Sequence, residues 1–159
     1  MQVRSLAEFE AEAVRFARTL SPRESGATVV TLSGELGAGK TTFVQTLAHA
    51  FGVAGQVTSP TFVIEKAYAL TGQAFARLVH IDAYRLEDAP QLEVLGWNEM
   101  IADAGNLIVL EWPEKVAAAI PQSAIRLRFD IEGDARTIRE KREQAQDRET
   151  LRTRPDRTA

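Results

Sequence analysis

Gly34-Glu35-Leu36-Gly37-Ala38-Gly39-Lys40-Thr41 sets three glycines around one lysine, directly after the apolar run TVVTL (Thr28–Leu32) and directly before TFVQTLAHAF (Thr42–Phe51). Glycine weakens strands and helices alike, so a bend this rich in it needs a bare backbone. The stretch matches G-x-x-x-x-G-K-[ST]. A helix N-terminus carries unpaired N–H groups and the positive end of the helix dipole. Glycines before it let the backbone close on phosphate oxygens. Lys40 then supplies a point charge to the β- and γ-phosphates, and the Thr41 hydroxyl a ligand for Mg²⁺. The alternative is a surface loop with a solvated lysine. The position of the motif between a strand and a helix favours the phosphate cradle.

Outward from the loop, the pattern is that of an α/β domain. Ser5 and Glu8 form an S-x-x-E capping box, and Leu6, Phe9, Ala13, Phe16, Ala17 and Leu20 recur with helical period. Thr28–Ser33 reads as a buried parallel strand. Lys40–Phe51 reads as a helix, with Gly52 at its C-cap. TFVIEKAYAL and FARLVHID flank TGQ, a hairpin signal. APQLEVLGWNEMIADAG predicts one or two short helices broken near Gly96. Asn106–Glu111 is a second buried strand, Pro113 opens a helix, and AIRLRFDIE alternates as a half-exposed strand does. The expected fold is therefore a central, mostly parallel sheet flanked by helices, with one antiparallel hairpin: a P-loop NTPase. Residues 1–138 are assigned to this domain. Residues 139–159, rich in Arg, Glu, Gln, Asp and Thr, are assigned to a charged tail, disordered or a fraying helix.

The composition narrows the function. The 159 residues are 45% hydrophobic and 26% charged, as in an ordinary soluble protein. The absence of cysteine excludes disulfides, thiolate metal sites and a cysteine nucleophile. It suits a cytoplasmic location. No apolar run reaches the roughly 18 residues of a membrane span, and the acidic N-terminus does not read as a signal peptide. A net charge of -3 gives no sign of a nucleic-acid-binding surface.

A magnesium-nucleotide site needs a second anchor, usually an acid at the end of another buried strand. RLVHID ends in Asp82 and NLIVLE in Glu111. Either carboxylate suits metal binding or the orientation of an attacking water. Ser59, Pro60 and Thr61 make a stiff turn, which reads equally as an ordinary turn or as a loop sensing a γ-phosphate. Trp112 is placed near the nucleotide by its neighbour Glu111, whereas Trp97 is assigned to packing. His80 is read as structural, pointing away from Asp82.

GELGAGKTT, TSPTF, HIDAYRL, LGWNE and LEWPEK occur in that order, and together they resemble the TsaE (YjeE) family of small bacterial P-loop ATPases over about Leu6 to Arg136. The resemblance implies an ATPase that serves threonylcarbamoyladenosine modification of adenosine 37 in tRNAs reading ANN codons. It implies work with a TsaB–TsaD assembly that holds the transferase chemistry, with tRNA met only indirectly. Glu35, Leu36, Gly37, Ala38, Gly39, Lys40, Thr41 and Thr42 then surround ATP. Thr41, Asp82 and Glu111 serve Mg²⁺, Thr61 is a switch-type threonine, and Glu111 and Trp112 flank the catalytic site. Ala83 stands where a larger apolar residue is more usual. Two rivals remain: a small-molecule kinase, and a non-catalytic nucleotide-dependent binding module. Arg126, Arg128 and Arg136 lie on or after the last expected strand rather than on an obvious kinase lid. The joint presence of Asp82 and Glu111 favours hydrolysis over the binding module. The chain's two asparagines leave no N-K-x-D motif for reading guanine.

Overall fold

The computed structural model describes residues 1–58 and 64–142. The strand leading into the glycine loop is Thr28–Gly34 (β2), buried along almost its whole length. Its parallel neighbours are Asn106–Glu111 (β5) on one side and Ile125–Glu132 (β6) on the other. Arg77–Asp82 (β4) lies parallel beyond β5, and Glu65–Ala69 (β3) closes that edge as the antiparallel arm of the expected hairpin. At the other edge, Ala135–Lys141 (β7) and Gln2–Val3 (β1) add two antiparallel strands, so the order is β1-β7-β6-β2-β5-β4-β3. The parallel centre and the β3–β4 hairpin match the expectation. Among the described residues, no helix is long and apolar enough to cross a membrane.

Alternation along the strands divides the core in two. Val30, Leu32, Leu78, Leu107, Val109, Leu127 and Phe129 face the helices Leu6–Ala17 (α1) and Lys40–Ala50 (α2). Val29, Val79, Ile81, Ile108 and Leu110 face the opposite layer. That layer holds Ala89–Glu93 (α3), Trp97–Ala102 (α4) and the 3₁₀ helix Pro113–Ala119, with Leu92, Trp97 and Val116 packed inward. The expected break between α3 and α4 falls at Gly96, whose φ of +84° starts α4. Trp97 is buried and donates its Nε1–H to the Ala119 carbonyl at 3.2 Å, a packing role as expected.

α1 begins as the capping box predicts, with Ser5 Oγ accepting from the Glu8 N–H at 3.1 Å. The return contact is shifted by one residue: Glu8 Oε2 accepts from the Arg4 N–H at 2.7 Å, outside the cap. Phe9, Ala13, Phe16 and Ala17 form the buried face, but Leu6, the first helical residue, is 63% exposed. Phe43 of α2 stands at the centre of an aromatic cluster, with ring centroids 6.0 Å from Phe9, 5.7 Å from Phe16 and 5.3 Å from Phe129. Pairs of this kind contribute about 0.5–1.5 kcal/mol each beyond area burial. They clamp α1 and α2 beneath the glycine loop.

The helix expected to open at Pro113 is present, as a 3₁₀ helix broken at Val116 (φ -134°). Other readings are corrected. β1 and β7 were not anticipated. The Gly133–Asp134 turn between Glu132 and Ala135, with Gly133 at φ +60°, was the available hairpin signal. Arg139, Glu140 and Lys141, assigned to a frayed tail, end β7, where Lys141 pairs with Arg126. β6 supplies the ladder that these charged residues lack alone. The rest of the tail, 143–159, lies outside the described residues.

The loop glycines answer to different constraints. A Cβ on Gly34, at φ +143°, would sit 2.3 Å from the Phe129 carbonyl oxygen, whereas one on Gly37, at φ +79°, would meet nothing within 4 Å. Gly34→Ala is therefore expected to cost roughly 2–4 kcal/mol from strain and overpacking together. Gly37→Ala should cost only about 1–2 kcal/mol from its left-handed backbone. Urea unfolding of the two variants tests this order; equal losses would refute it.

Candidate functional site

β2, β4 and β5 are parallel and in register, so their C-terminal ends fall on one line: Leu32 lies opposite Glu111, and Asp82 opposite Glu111. Alternation places His80 and Asp82 on the face of Leu78, and Glu111 on the face of Val109. Both are the α2 face. α2 starts directly above, with Gly39 (φ +100°) as its N-cap and no side-chain cap. A Cβ on Gly39 would come 2.7 Å from Phe9 Cζ, so glycine is also what lets α1 pack under the loop.

The result is an open cleft of about 340 Å³ lined by Leu36, Gly37, Gly39, Lys40, Thr41, Thr42, Asp82, Tyr84, Glu111 and Trp112. Nine of the twelve residues expected at the site line it. Glu35 is exposed and turns only its backbone carbonyl to Lys40. Ala38 is buried against the neighbouring cleft. Thr61, with Ser59 and Pro60, lies outside the described residues.

Lys40 is 5% exposed. Its Nζ donates to the carbonyls of Gly34 and, at 3.0 Å, Glu35, and lies 4.2 Å from the Trp112 ring centroid. Burial pushes its pKa below that of free lysine, while Glu111, Glu114, Asp82 and Glu35 pull it back up. Thr41 donates its hydroxyl to Glu111 Oε1 at 3.0 Å. The other Glu111 oxygen is 2.8 Å from His80 Nε2. Asp82 accepts from the Tyr84 N–H through Oδ1 at 3.0 Å.

Among the described residues, two non-glycine residues have positive φ, and both touch this line of strand ends. Ile64 (φ +67°) offers its carbonyl to the Asp82 N–H at 2.8 Å. Trp112 (φ +60°, ψ +54°) donates its N–H to the Leu32 carbonyl at 3.2 Å. For residues of this bulk such a backbone is an outlier, of the kind that clusters at functional sites. The turn at Trp112 sets its indole between Lys40 and Tyr84, whose ring centroid is 5.1 Å away.

A second cleft, of about 220 Å³, adjoins the first and shares Gly39 and Thr42 with it. Leu6, Phe9, Asp134 and Arg136 line its far side. Their place beside the loop was not read in the sequence, because nothing local marks the start of α1 and the β6–β7 turn as neighbours of the loop. His80 and Tyr84 were also missed. For His80 a signal existed: residues two apart on a strand share a face, so it sides with Asp82 rather than pointing away from it.

The comparisons with known proteins converge on one family. The model of "Threonylcarbamoyl adenosine biosynthesis protein TsaE" matches residues 4–142. The chain belongs to the TsaE family. The Streptomyces coelicolor protein named tRNA threonylcarbamoyladenosine biosynthesis protein TsaE is 44% identical over 103 residues, covering 64% of this chain and 68% of that one. The Bacillus subtilis protein of the same name is 36% identical over 129 residues, covering 74% and 78%. The crystal structure of Bacillus subtilis YdiB superposes with a TM-score of 0.67 at 28% identity, covering 87% of this chain and 80% of that one. The fold shared with the TsaE family is that of a P-loop NTPase, as the glycine loop predicted. The match runs through β7 to residue 142, past the expected end of the resemblance at Arg136.

Glu111 is 2% exposed and satisfies two donors. Glu111→Ala should leave the buried His80 Nε2–H without its acceptor and destabilise the fold by about 1–3 kcal/mol. Glu111→Gln, which keeps one acceptor oxygen, should lose less. Urea unfolding of both decides it, and an alanine variant as stable as the parent would contradict the assignment.

Proposed function

We infer that this chain binds ATP with Mg²⁺ and hydrolyses it in the threonylcarbamoyladenosine modification of tRNA, acting in the cytoplasm with a TsaB–TsaD assembly that performs the transfer itself. The observation that carries this reading is the convergence of Lys40, Thr41, Asp82 and Glu111, from one loop and two strand ends, on a single cleft beneath a helix N-terminus. The bare backbone there suits a polyphosphate. Among the described residues, no group of three or more His, Cys, Asp or Glu is placed to hold a metal ion alone. That fits magnesium, which usually takes one or two carboxylates and completes its shell with water and substrate phosphates. Thr41, Asp82 and Glu111 would hold it, and bound there it would neutralise developing phosphate charge.

The chain's own groups then divide the work. The loop amides and Lys40 bind and orient the phosphates. Asp82 and Glu111 orient the attacking water. Trp112 and Tyr84 wall the cleft against solvent. The second cleft adjoins the first at Gly39 and Thr42 and would take the ribose and base. The side-chain charge lining the phosphate cleft among the described residues is one lysine against two carboxylates. Fast phosphoryl transfer needs more positive charge than that, often an arginine supplied in trans. Slow hydrolysis by the chain alone and strong stimulation by the partner assembly follow, with Thr61 coupling nucleotide state to partner affinity.

Lys40→Ala removes a charge-assisted contact worth roughly 1.5–3 kcal/mol, on the order of a 10- to 150-fold loss of ATP affinity. Asp82→Asn and Glu111→Gln remove negative charge near an anion, so metal-free nucleotide should bind as tightly or tighter, while the Mg²⁺-dependent gain in affinity and the turnover both fall. Calorimetry and steady-state phosphate release, each with and without TsaB and TsaD, test both statements. Unchanged MgATP affinity in Lys40→Ala refutes the phosphate site, and full activity of the isolated chain refutes the need for partners.

A further inference from the structure

The geometry points to His80 as a positioning residue that aims the Glu111 carboxylate at Thr41, and so presets the magnesium-binding oxygens. The inference rests on the MgATP reading of the cleft. It starts from a buried polar group that reading does not use. His80 is wholly buried on β4, one strand in from the sheet edge, paired with Lys66 on β3 and Val109 on β5. A histidine placed there needs a partner. The partner is Glu111 Oε2, at 2.8 Å. An ionised carboxylate only accepts, so the bonding tautomer carries its proton on Nε2. Nδ1 has no partner among the described residues. One nitrogen thus makes the single polar contact observed for the ring, and that contact ends on a residue of the cleft.

The consequence is directional. A glutamate at a strand end has rotamers to choose from. Glu111 has each oxygen fixed by a different donor, His80 from below the cleft and Thr41 from within it. Fixing Oε2 leaves Oε1 facing the Thr41 hydroxyl, the group that serves the metal in this reading. The arrangement mirrors the way an outer hydrogen bond orients a metal-binding side chain, where losing the outer partner typically weakens metal affinity or activity about 10- to 100-fold. A structural histidine would show no such selectivity: its loss would weaken folding and leave the metal dependence of nucleotide binding alone.

The test compares the parent with His80→Phe, which keeps a buried ring without the donor, and His80→Gln, whose amide N–H reaches the Nε2 position. Each full chain is titrated with Mg²⁺ in the presence of a non-hydrolysable ATP analogue, and with the analogue alone in EDTA, by calorimetry. For His80→Phe the expected result is a Mg²⁺ midpoint raised on the order of 10-fold, with metal-free affinity within about twofold of the parent. His80→Gln should recover most of the difference. The chain has only two histidines, so the parent's imidazole nitrogen NMR spectrum gives a readout that needs no variant. The His80 signal should show the Nε2–H tautomer and shift when Mg²⁺ joins the bound analogue, beyond any shift caused by the analogue. An unchanged midpoint in a folded His80→Phe, a glutamine variant no better than phenylalanine, or a His80 signal blind to Mg²⁺ would overturn the assignment while leaving the nucleotide site intact. A parent whose analogue affinity ignores Mg²⁺ would overturn the metal reading, and this assignment with it.

Discussion

Three parallel strands in exact register govern the rest of this molecule. Because β4, β5 and β2 run the same way and pair without offset, Asp82, Glu111 and Leu32 are brought abreast at their C-terminal ends. A one-residue slip of β4 or β5 would turn its acid to the opposite face of the sheet. The register is in turn held by the two apolar faces of the same strands. Val79 and Ile81 pack on one side and Leu78 on the other, so the positions that keep His80 and Asp82 under the loop are those that fill both cores.

The glycine loop meets those strand ends through close packing. Gly34 passes the Phe129 carbonyl, and Gly39 sits on Phe9, at distances no side chain would permit. Phe9 and Phe129 in turn pack on or beside Phe43 of α2. The start of α2 is therefore fixed from below by aromatic contacts and from the side by the Thr41–Glu111 hydrogen bond. A loop built this way is largely formed before any ligand arrives, which lowers the ordering cost of binding. The unusual backbones of Ile64 and Trp112 show where that order is strained, on either side of the strand ends.

Some of this was legible in the sequence and some was not. The loop motif, the capped α1, the hairpin around Thr71-Gly72-Gln73, the break at Gly96 and the two acids ending apolar runs are local patterns, each set by backbone sterics or by strand and helix period. They were enough to place the fold, and nine of the twelve expected site residues line the cleft. The β6–β7 turn was equally local and was missed. The charged residues of β7 look like a tail until β6 supplies their ladder. The side of His80 followed from strand period and was misjudged.

The sequence by itself determined that a phosphate-type loop exists, that it joins a buried strand to a helix, and that carboxylates end other strands, because these depend on neighbours within a few residues. Tertiary structure decided which strands lie beside β2, and thus that Thr41, Glu111 and His80 form one hydrogen-bonded line although they are scattered from position 41 to 111. It also decided that Leu6, Phe9 and Arg136 share a cleft with Gly39. The physical reason is that strand order and helix docking are settled by burying both faces of the sheet at once. That balance is summed over the whole core, and no short stretch of the chain records it.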